Sequence, residues 1–284
     1  MTARIQSSDH RNIDQRVVDG FGEEWTRFDQ SDVDEKELRR GFDEYFAIFP
    51  WDRLPPDAIG FDLGCGSGRW ARFVAPHVGR LHCIDASRAA LDVARRNLAA
   101  FHNCVFSQAS VDQLPLADGS AQFGYSLGVL HHVPDTAAGI RACARKLEKG
   151  APLLLYLYYR FDNRPRWYAA IWLISEMPRR LISRLSARPR ATICALIALV
   201  VYWPLARLSR LVDALGAPGD RLPLHFYSRR SLYTMRTDAL DRFGTALEQR
   251  FTKREIEQMM RDAGLRDIVF SDRPPYWCAV GIRE

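Results

Sequence analysis

The sequence predicts an α/β fold: a doubly wound, mostly parallel sheet with a C-terminal antiparallel hairpin and a helical cap inserted after the fifth strand. Three observations predict it. Short apolar runs rich in β-branched and aromatic residues alternate with helical stretches from Ala58 to Tyr158, the rhythm of βαβ units. A glycine-rich turn, Asp62-Leu-Gly64-Cys-Gly66-Ser-Gly68, stands between the first strand and the first helix of that series. The alternation stops near residue 160 and resumes near 252. With 284 residues, 47% hydrophobic and 26% charged, the chain can bury a substantial core.

Taken in order, residues 1–54 hold aromatic, charged segments, Phe21-Gly-Glu-Glu-Trp25-Thr-Arg-Phe28 and Gly41-Phe-Asp-Glu-Tyr-Phe46, expected to form a loop and then a helix. Leu54-Pro-Pro-Asp57 breaks the chain before the core. In residues 55–160, Ile59–Leu63 reads as a buried strand, Arg69–Val78 as a helix and Arg80–Asp85 as a second strand. Ser87 caps a helix running to about Phe101. Cys104–Ser107 and Gln122–Ser126 read as strands, a helix follows Pro134-Asp135, and Pro152–Tyr158 is a strongly apolar fifth strand. Residues 161–230 form the insertion. Its stripe Trp167, Ile171, Ile174, Leu181 and Leu185 is helical, with a kink expected at Pro178. Its second stretch, Ala191–Ala206, is apolar but shorter than the roughly 20 residues of a membrane span and is interrupted by Pro204, so a buried cap helix is expected. Residues 231–284 complete the core: a helix from Thr252 to Ala263, Gly264 at its end, then Asp267–Phe270 and Trp277–Ile282 joined by Arg273-Pro-Pro-Tyr276.

The net charge of +6 is concentrated. Arg160, Arg164, Arg166, Arg179, Arg180, Arg184, Arg188, Arg190, Arg207 and Arg210 are opposed between residues 160 and 210 by Asp162 and Glu176 only. Such a patch is a solvated helix surface or meets phosphate, anionic lipid or nucleic acid. The six cysteines stand singly, with no C-x-x-C pair, which argues against a zinc cluster or disulfide framework. Together with a polar N-terminus, this points to a cytoplasmic protein with no metal site, and the basic apolar insertion adds membrane association as an option.

Glycines at the strand–helix turn let the backbone bend sharply and approach a ligand. Gly66-x-Gly68-x-x-Ala71 also satisfies a loose dinucleotide pattern. Asp62 argues for a different ligand, because a carboxylate beside the loop would repel a pyrophosphate but suits an ammonium. Asp85, about 20 residues after Gly64 at the end of the next strand, is placed to accept ribose hydroxyls.

Gly60-Phe-Asp-Leu-Gly-Cys-Gly-Ser-Gly-Arg69, Cys83-Ile-Asp-Ala86, Gln113-Leu-Pro-Leu116 with Asp118-Gly-Ser120, and Ser126-Leu-Gly-Val-Leu-His-His-Val133 resemble the class I S-adenosylmethionine (SAM)-dependent methyltransferases. The resemblance is to the small-molecule, quinone-biosynthesis-like group (methyltransferase type 11) and covers residues 55–160 and, more weakly, 250–284. It implies a Rossmann-like core with SAM as cofactor. Asp62, Gly64, Cys65, Gly66 and Gly68 would form the turn at the methionine end, Asp85 would hold the ribose, and Ala86 would touch the adenine. Ala109 and Ser110 occupy the place of the usual acidic adenine contact, for which Asp112 can compensate. Leu127 and Gly128 would border the methionine portion.

Methyl transfer needs alignment and, for a hydroxyl, a base. His131 and His132, just past the fourth strand, are the candidate bases. Tyr156, Tyr158, Tyr159 and Arg160 are candidate acceptor contacts, and Trp25, with Phe21 and Phe28, is a candidate lid. Tyr227–Tyr233 and Arg236–Arg242 read as salt-bridged segments or pocket walls. The expected function is methyl transfer to a small organic or lipid-like acceptor, with oxygen the favoured acceptor atom. An NAD-type oxidoreductase and a non-catalytic SAM- or nucleic-acid-binding module are the alternatives. Nucleic acid is disfavoured because the aromatic residues form no evident stacking platform.

Overall fold

The computed structural model describes residues 12–284, so the polar N-terminal decapeptide lies outside the described residues. Seven strands form one sheet in the order β3-β2-β1-β4-β5-β7-β6. These are β1 (Ile59–Leu63), β2 (Arg80–Asp85), β3 (Cys104–Gln108), β4 (Phe123–Leu127), β5 (Pro152–Tyr156), β6 (Leu265–Phe270) and β7 (Cys278–Arg283). β1 to β5 pair in parallel, and β7 pairs antiparallel with both β5 and β6. This is the doubly wound fold with a terminal hairpin that the sequence predicts. The order reverses between β1 and β4, so their carboxyl ends flank the crevice where such sheets bind ligands.

Ten α-helices flank this sheet among the described residues. α1 (Gln15–Arg27) and α2 (Glu35–Tyr45) precede it. The segment Phe21–Arg27, expected as loop, is helical: Asp14 caps α1 by accepting the Arg16 N–H at 2.9 Å. α2 buries Leu38 and Phe42 in an aromatic cluster with Phe46, Phe49, Trp70 and Phe73. α3 (Ala71–Val74) is shorter than expected, because Pro76 turns the chain into a 3-10 segment, Ala75–His77. α4 (Arg88–Asn97) begins at Ser87, whose hydroxyl accepts the Ala90 N–H. α5 (Thr136–Lys146) packs with α10 (Lys253–Asp262) on the other face of the sheet, over Ile140, Cys143, Ile256 and Met260.

After β5 the chain leaves the sheet through α6 (Arg166–Ile182), α7 (Ala187–Ile197), a π-helical turn (Ala198–Tyr202) and α8 (Trp203–Ala214). It returns through α9 (Leu232–Gly244). The helix continues past Pro178 and Pro204; the π turn lies immediately before Trp203-Pro204, where proline removes a backbone donor. The second apolar stretch corrects the expectation of a buried helix. Only Ala191, Cys194, Ala198, Tyr202 and Ala206 are buried, against Met235, Ala239 and Phe243 of α9. Leu196, Leu199, Val200, Val201, Trp203 and Leu208 are exposed, because only a narrow stripe of these helices meets α9.

Candidate active site

The carboxyl ends of β1, β2, β3 and β4 line one wall of a cavity of about 730 Å³, within the usual range for small-molecule sites. Leu63, Gly64, Asp85, Ala86, Ala109, Ser110, Leu127 and Gly128 form that wall. Gly64 has φ +76°, and a Cβ there would lie 2.3 Å from the Val129 side chain, so the chain can make this turn only with glycine. The Asp85 carboxylate is preset: Oδ2 accepts the Gly66 N–H at 2.9 Å and Oδ1 the Ser87 N–H at 2.8 Å. Its remaining lone pairs are available to ribose hydroxyls. Burial raises its pKa, against the pull of those two backbone donors.

Other predicted residues take different places. Gly66 and Gly68 build the turn from behind: Gly68 N–H donates to the Cys65 carbonyl at 2.8 Å, and a Cβ on Gly68 would meet Leu98. Cys65 turns its thiol into the core beside Cys83. Asp62 does not reach the cavity wall. It is buried and accepts the Tyr125 hydroxyl at 3.0 Å on Oδ2. Burial pushes its carboxyl up to about 8, with the tyrosine hydrogen bond opposing. Asp112 is likewise absent from the wall.

α1 covers the turn. Trp25 lies against Gly66 and over the Arg69 guanidinium, which is 5.2 Å from its ring, while Phe21 meets the His132 ring edge-on at 5.0 Å. Phe21, Glu24 and Trp25 line the cavity; Phe28 is instead buried against Tyr233 beneath the insertion.

At the far end stand His132, Tyr156, Tyr158 and Tyr159, together with Tyr45, Tyr227, Asp238 and Asp241. His132 Nδ1 is 2.7 Å from the Leu247 carbonyl. A carbonyl only accepts, so that nitrogen carries the proton and Nε2 of the neutral ring is a bare lone pair. Nε2 is buried without a hydrogen-bond partner and lies 3.4 Å from Asp241 Oδ1, while Asp241 Oδ2 accepts the Tyr158 hydroxyl. Burial raises the Asp241 carboxyl, but the charge that the His132 ring carries once protonated, together with the hydrogen bond from the Tyr158 hydroxyl, outweighs it and holds the group low. Burial and neighbouring carboxylates push Glu24 well up, and burial pushes Asp238 to about 6 against the Arg69 charge.

His131 and Arg160 do not join this group. His131 is fully buried off the cavity, stacked on Tyr158 at 3.8 Å, with Nδ1 facing the Tyr158 N–H; burial and the adjacent His132 keep it neutral. Arg160 points outward to Glu255 at 3.2 Å and the Arg250 carbonyl at 2.8 Å. The segment Arg236–Arg242 serves in both expected ways. Asp238 and Asp241, three apart on α9, face the cavity, and Arg242 pairs with buried Glu176 and Glu248. Tyr45, Glu24, Arg69 and Asp241 were not singled out from sequence. The i, i+3 acidic spacing on α9 was the available signal for Asp241.

Residues 61–155 match the sequence family described as a methyltransferase domain. The chain is 30% identical over 125 residues to the ubiquinone biosynthesis O-methyltransferase of Alkalilimnicola ehrlichii, covering 43% of this chain and 49% of the relative. It is 27% identical over 182 residues to the same-named protein of Idiomarina loihiensis, covering 60% and 71%. The chain spans about half the length of the first curated relatives it matches, 49% and 53%. In fold it is similar to the apo SAM-dependent methyltransferase SibL, with TM-score 0.51 and 14% identity over 86% of this chain and 55% of that one. A Bacillus halodurans protein assigned as a methyltransferase gives TM-score 0.50 and 15% identity over 83% and 72%.

Proposed function

We propose that this chain, which carries a methyltransferase domain of the class I SAM-dependent superfamily, moves the methyl group of SAM to a hydroxyl of an aromatic or lipid-like small molecule. The wall formed by Gly64, Asp85, Ala86, Ala109 and Leu127 fits the cofactor: a preset carboxylate for the ribose, short side chains for a flat base, and a glycine turn that leaves room. SAM, when bound there, supplies a methyl carbon already activated by its sulfonium.

The observation that carries the reading is the bare His132 Nε2, buried beside Asp241 on the cavity wall. An acceptor hydroxyl presented to Nε2 gives up its proton, and the imidazolium formed is stabilised by the Asp241 carboxylate. Tyr158 holds that carboxylate in place, and His131, stacked behind Tyr158, holds the tyrosine. Phe21, Tyr156, Trp172, Tyr202 and Tyr227 supply flat apolar surface for a ring, and α1 excludes water from the turn. An acceptor of the phenol or quinol class suits such walls, and the ubiquinone O-methyltransferase names of two relatives point the same way. Glu24, Asp238 and Asp241 together favour a second reading, an amine acceptor held as its cation.

The test is S-adenosylhomocysteine formation from SAM with catechols, prenylated phenols and amines. Turnover with phenols, reduced about 10²- to 10⁴-fold in His132→Ala with SAM affinity unchanged, is expected. Turnover with amines alone, or a fully active His132→Ala, would exclude the hydroxyl mechanism.

A further inference from the structure

The insertion presents an unusual surface. Among the described residues, every exposed large hydrophobic side chain except Val105 and Val269 lies between Trp167 and Leu215. Ile174 is 70% exposed, Met177 74%, Val200 63% and Leu215 76%. Monomeric soluble proteins rarely leave so many large apolar side chains of one segment in water. We infer that this face docks on an anionic lipid bilayer, lying in its interface.

Charge selects that occupant. Arg166, Arg180, Arg184, Arg188 and Arg210 are exposed on the same helices, and none has a carboxylate within ion-pair distance among the described residues. A second copy of this chain on the same face would bring two arginine rims together, whereas lipid phosphates would neutralise them. Trp167 and Trp203, each 44% exposed, are the residue type that settles at the boundary between headgroups and acyl chains.

The depth follows from the packing. The continuous helix from Ala187 to Ala214 has 28 residues and contains an 18-residue stretch of mean hydropathy 1.8, long and apolar enough to cross a bilayer. Its buried stripe is committed to α9, however, so crossing would strip Met235, Ala239 and Phe243 of their partners. The helix therefore lies in the interface, with one side on protein and the other on lipid. Ile171 and Val201 belong to both surfaces, exposed on the apolar face and lining the cavity. The cavity thus opens beside the proposed lipid contact, and an apolar acceptor can enter from the acyl layer. That last step rests on the proposed methyl transfer; the docking does not.

Vesicle flotation of the full chain tests it, using phosphatidylcholine alone and phosphatidylcholine mixed with phosphatidylglycerol, with light scattering of the free protein alongside. Binding to the mixed vesicles is expected, weaker by about tenfold or more in Ile174→Asp/Met177→Asp and in Arg180→Glu/Arg184→Glu/Arg188→Glu. These side chains are exposed, so circular dichroism and SAM affinity should be unchanged, which separates loss of docking from loss of fold or of the cofactor site. Absence of vesicle binding would overturn the inference, as would a dimer dispersed by the Ile174→Asp/Met177→Asp change, or equal binding to both vesicle types that the arginine changes leave intact.

Discussion

Replacing Asp62 by asparagine should stabilise the protein in alkaline solution and leave it unchanged in acid. Asp62 is 2% exposed and its carboxyl is pushed up to about 8 in the folded chain, against an ordinary value of 3.8. For a group whose folded pKa is raised, the favourable contribution is complete below the unfolded pKa and is lost as pH rises through the folded one. The window is therefore about pH 4 to 8. The shift spans about four pKa units at ~1.4 kcal/mol each, so on the order of 6 kcal/mol separates the acid and alkaline limits. Asparagine keeps an oxygen to accept the Tyr125 hydroxyl and never ionises. Urea unfolding followed by tryptophan fluorescence, at pH 5 and pH 8.5 for both proteins, reads the difference directly. Other raised carboxyls, Glu24 and Asp238, titrate in both proteins and cancel in the comparison. The reasoning fails if the two proteins lose stability in parallel between these pH values, or if the variant is the less stable one at pH 8.5.

Three further outcomes are expected. Asp241→Asn places an amide N–H where it can occupy His132 Nε2, so kcat with a phenolic acceptor should fall about 10- to 10³-fold with little change in SAM affinity; pH–rate profiles would show it, and an unchanged profile would remove Asp241 from the account. Gly66→Ala puts a Cβ 2.8 Å from the Trp25 ring at φ +54°, so the melting midpoint should drop by a few degrees and SAM affinity should fall, which a thermal-shift titration measures. Arg242→Met leaves Glu248, whose side chain is 2% exposed, with Arg250 only and Glu176 with Arg179 only; denaturant unfolding should show a loss of about 3 to 5 kcal/mol, and a loss under 1 would mean that the network relaxes freely.

The core was legible because its signals are local. Ser87, Asp135 and Thr252 each cap a helix where the sequence places one, and the strand runs Ile59–Leu63 and Arg80–Asp85 keep their limits. The cofactor wall was legible for the same reason, since Gly64, Asp85, Ala86 and Leu127 each end or follow a strand of known order. What escaped depends on contacts distant in sequence. Asp241 meets His132 only because α9 returns beside the turn that follows β4, and nothing near either residue announces the partner. His131 and His132 are adjacent and chemically equal, yet the chain turn after β4 sends one ring behind Tyr158 and the other into the cavity. Ala191–Ala206 looked buried by composition, but composition does not report how wide a stripe α9 can cover.

Isothermal titration of the purified chain with SAM and with S-adenosylhomocysteine, run beside Asp85→Ala, tests the central claim most directly. Saturable one-site binding of both ligands, lost or weakened at least tenfold in the variant, is the expected result, because a carboxylate preset by Gly66 and Ser87 carries the ribose contact. A folded wild-type chain that binds neither ligand, or an Asp85→Ala variant that binds as tightly as the wild type, would contradict it.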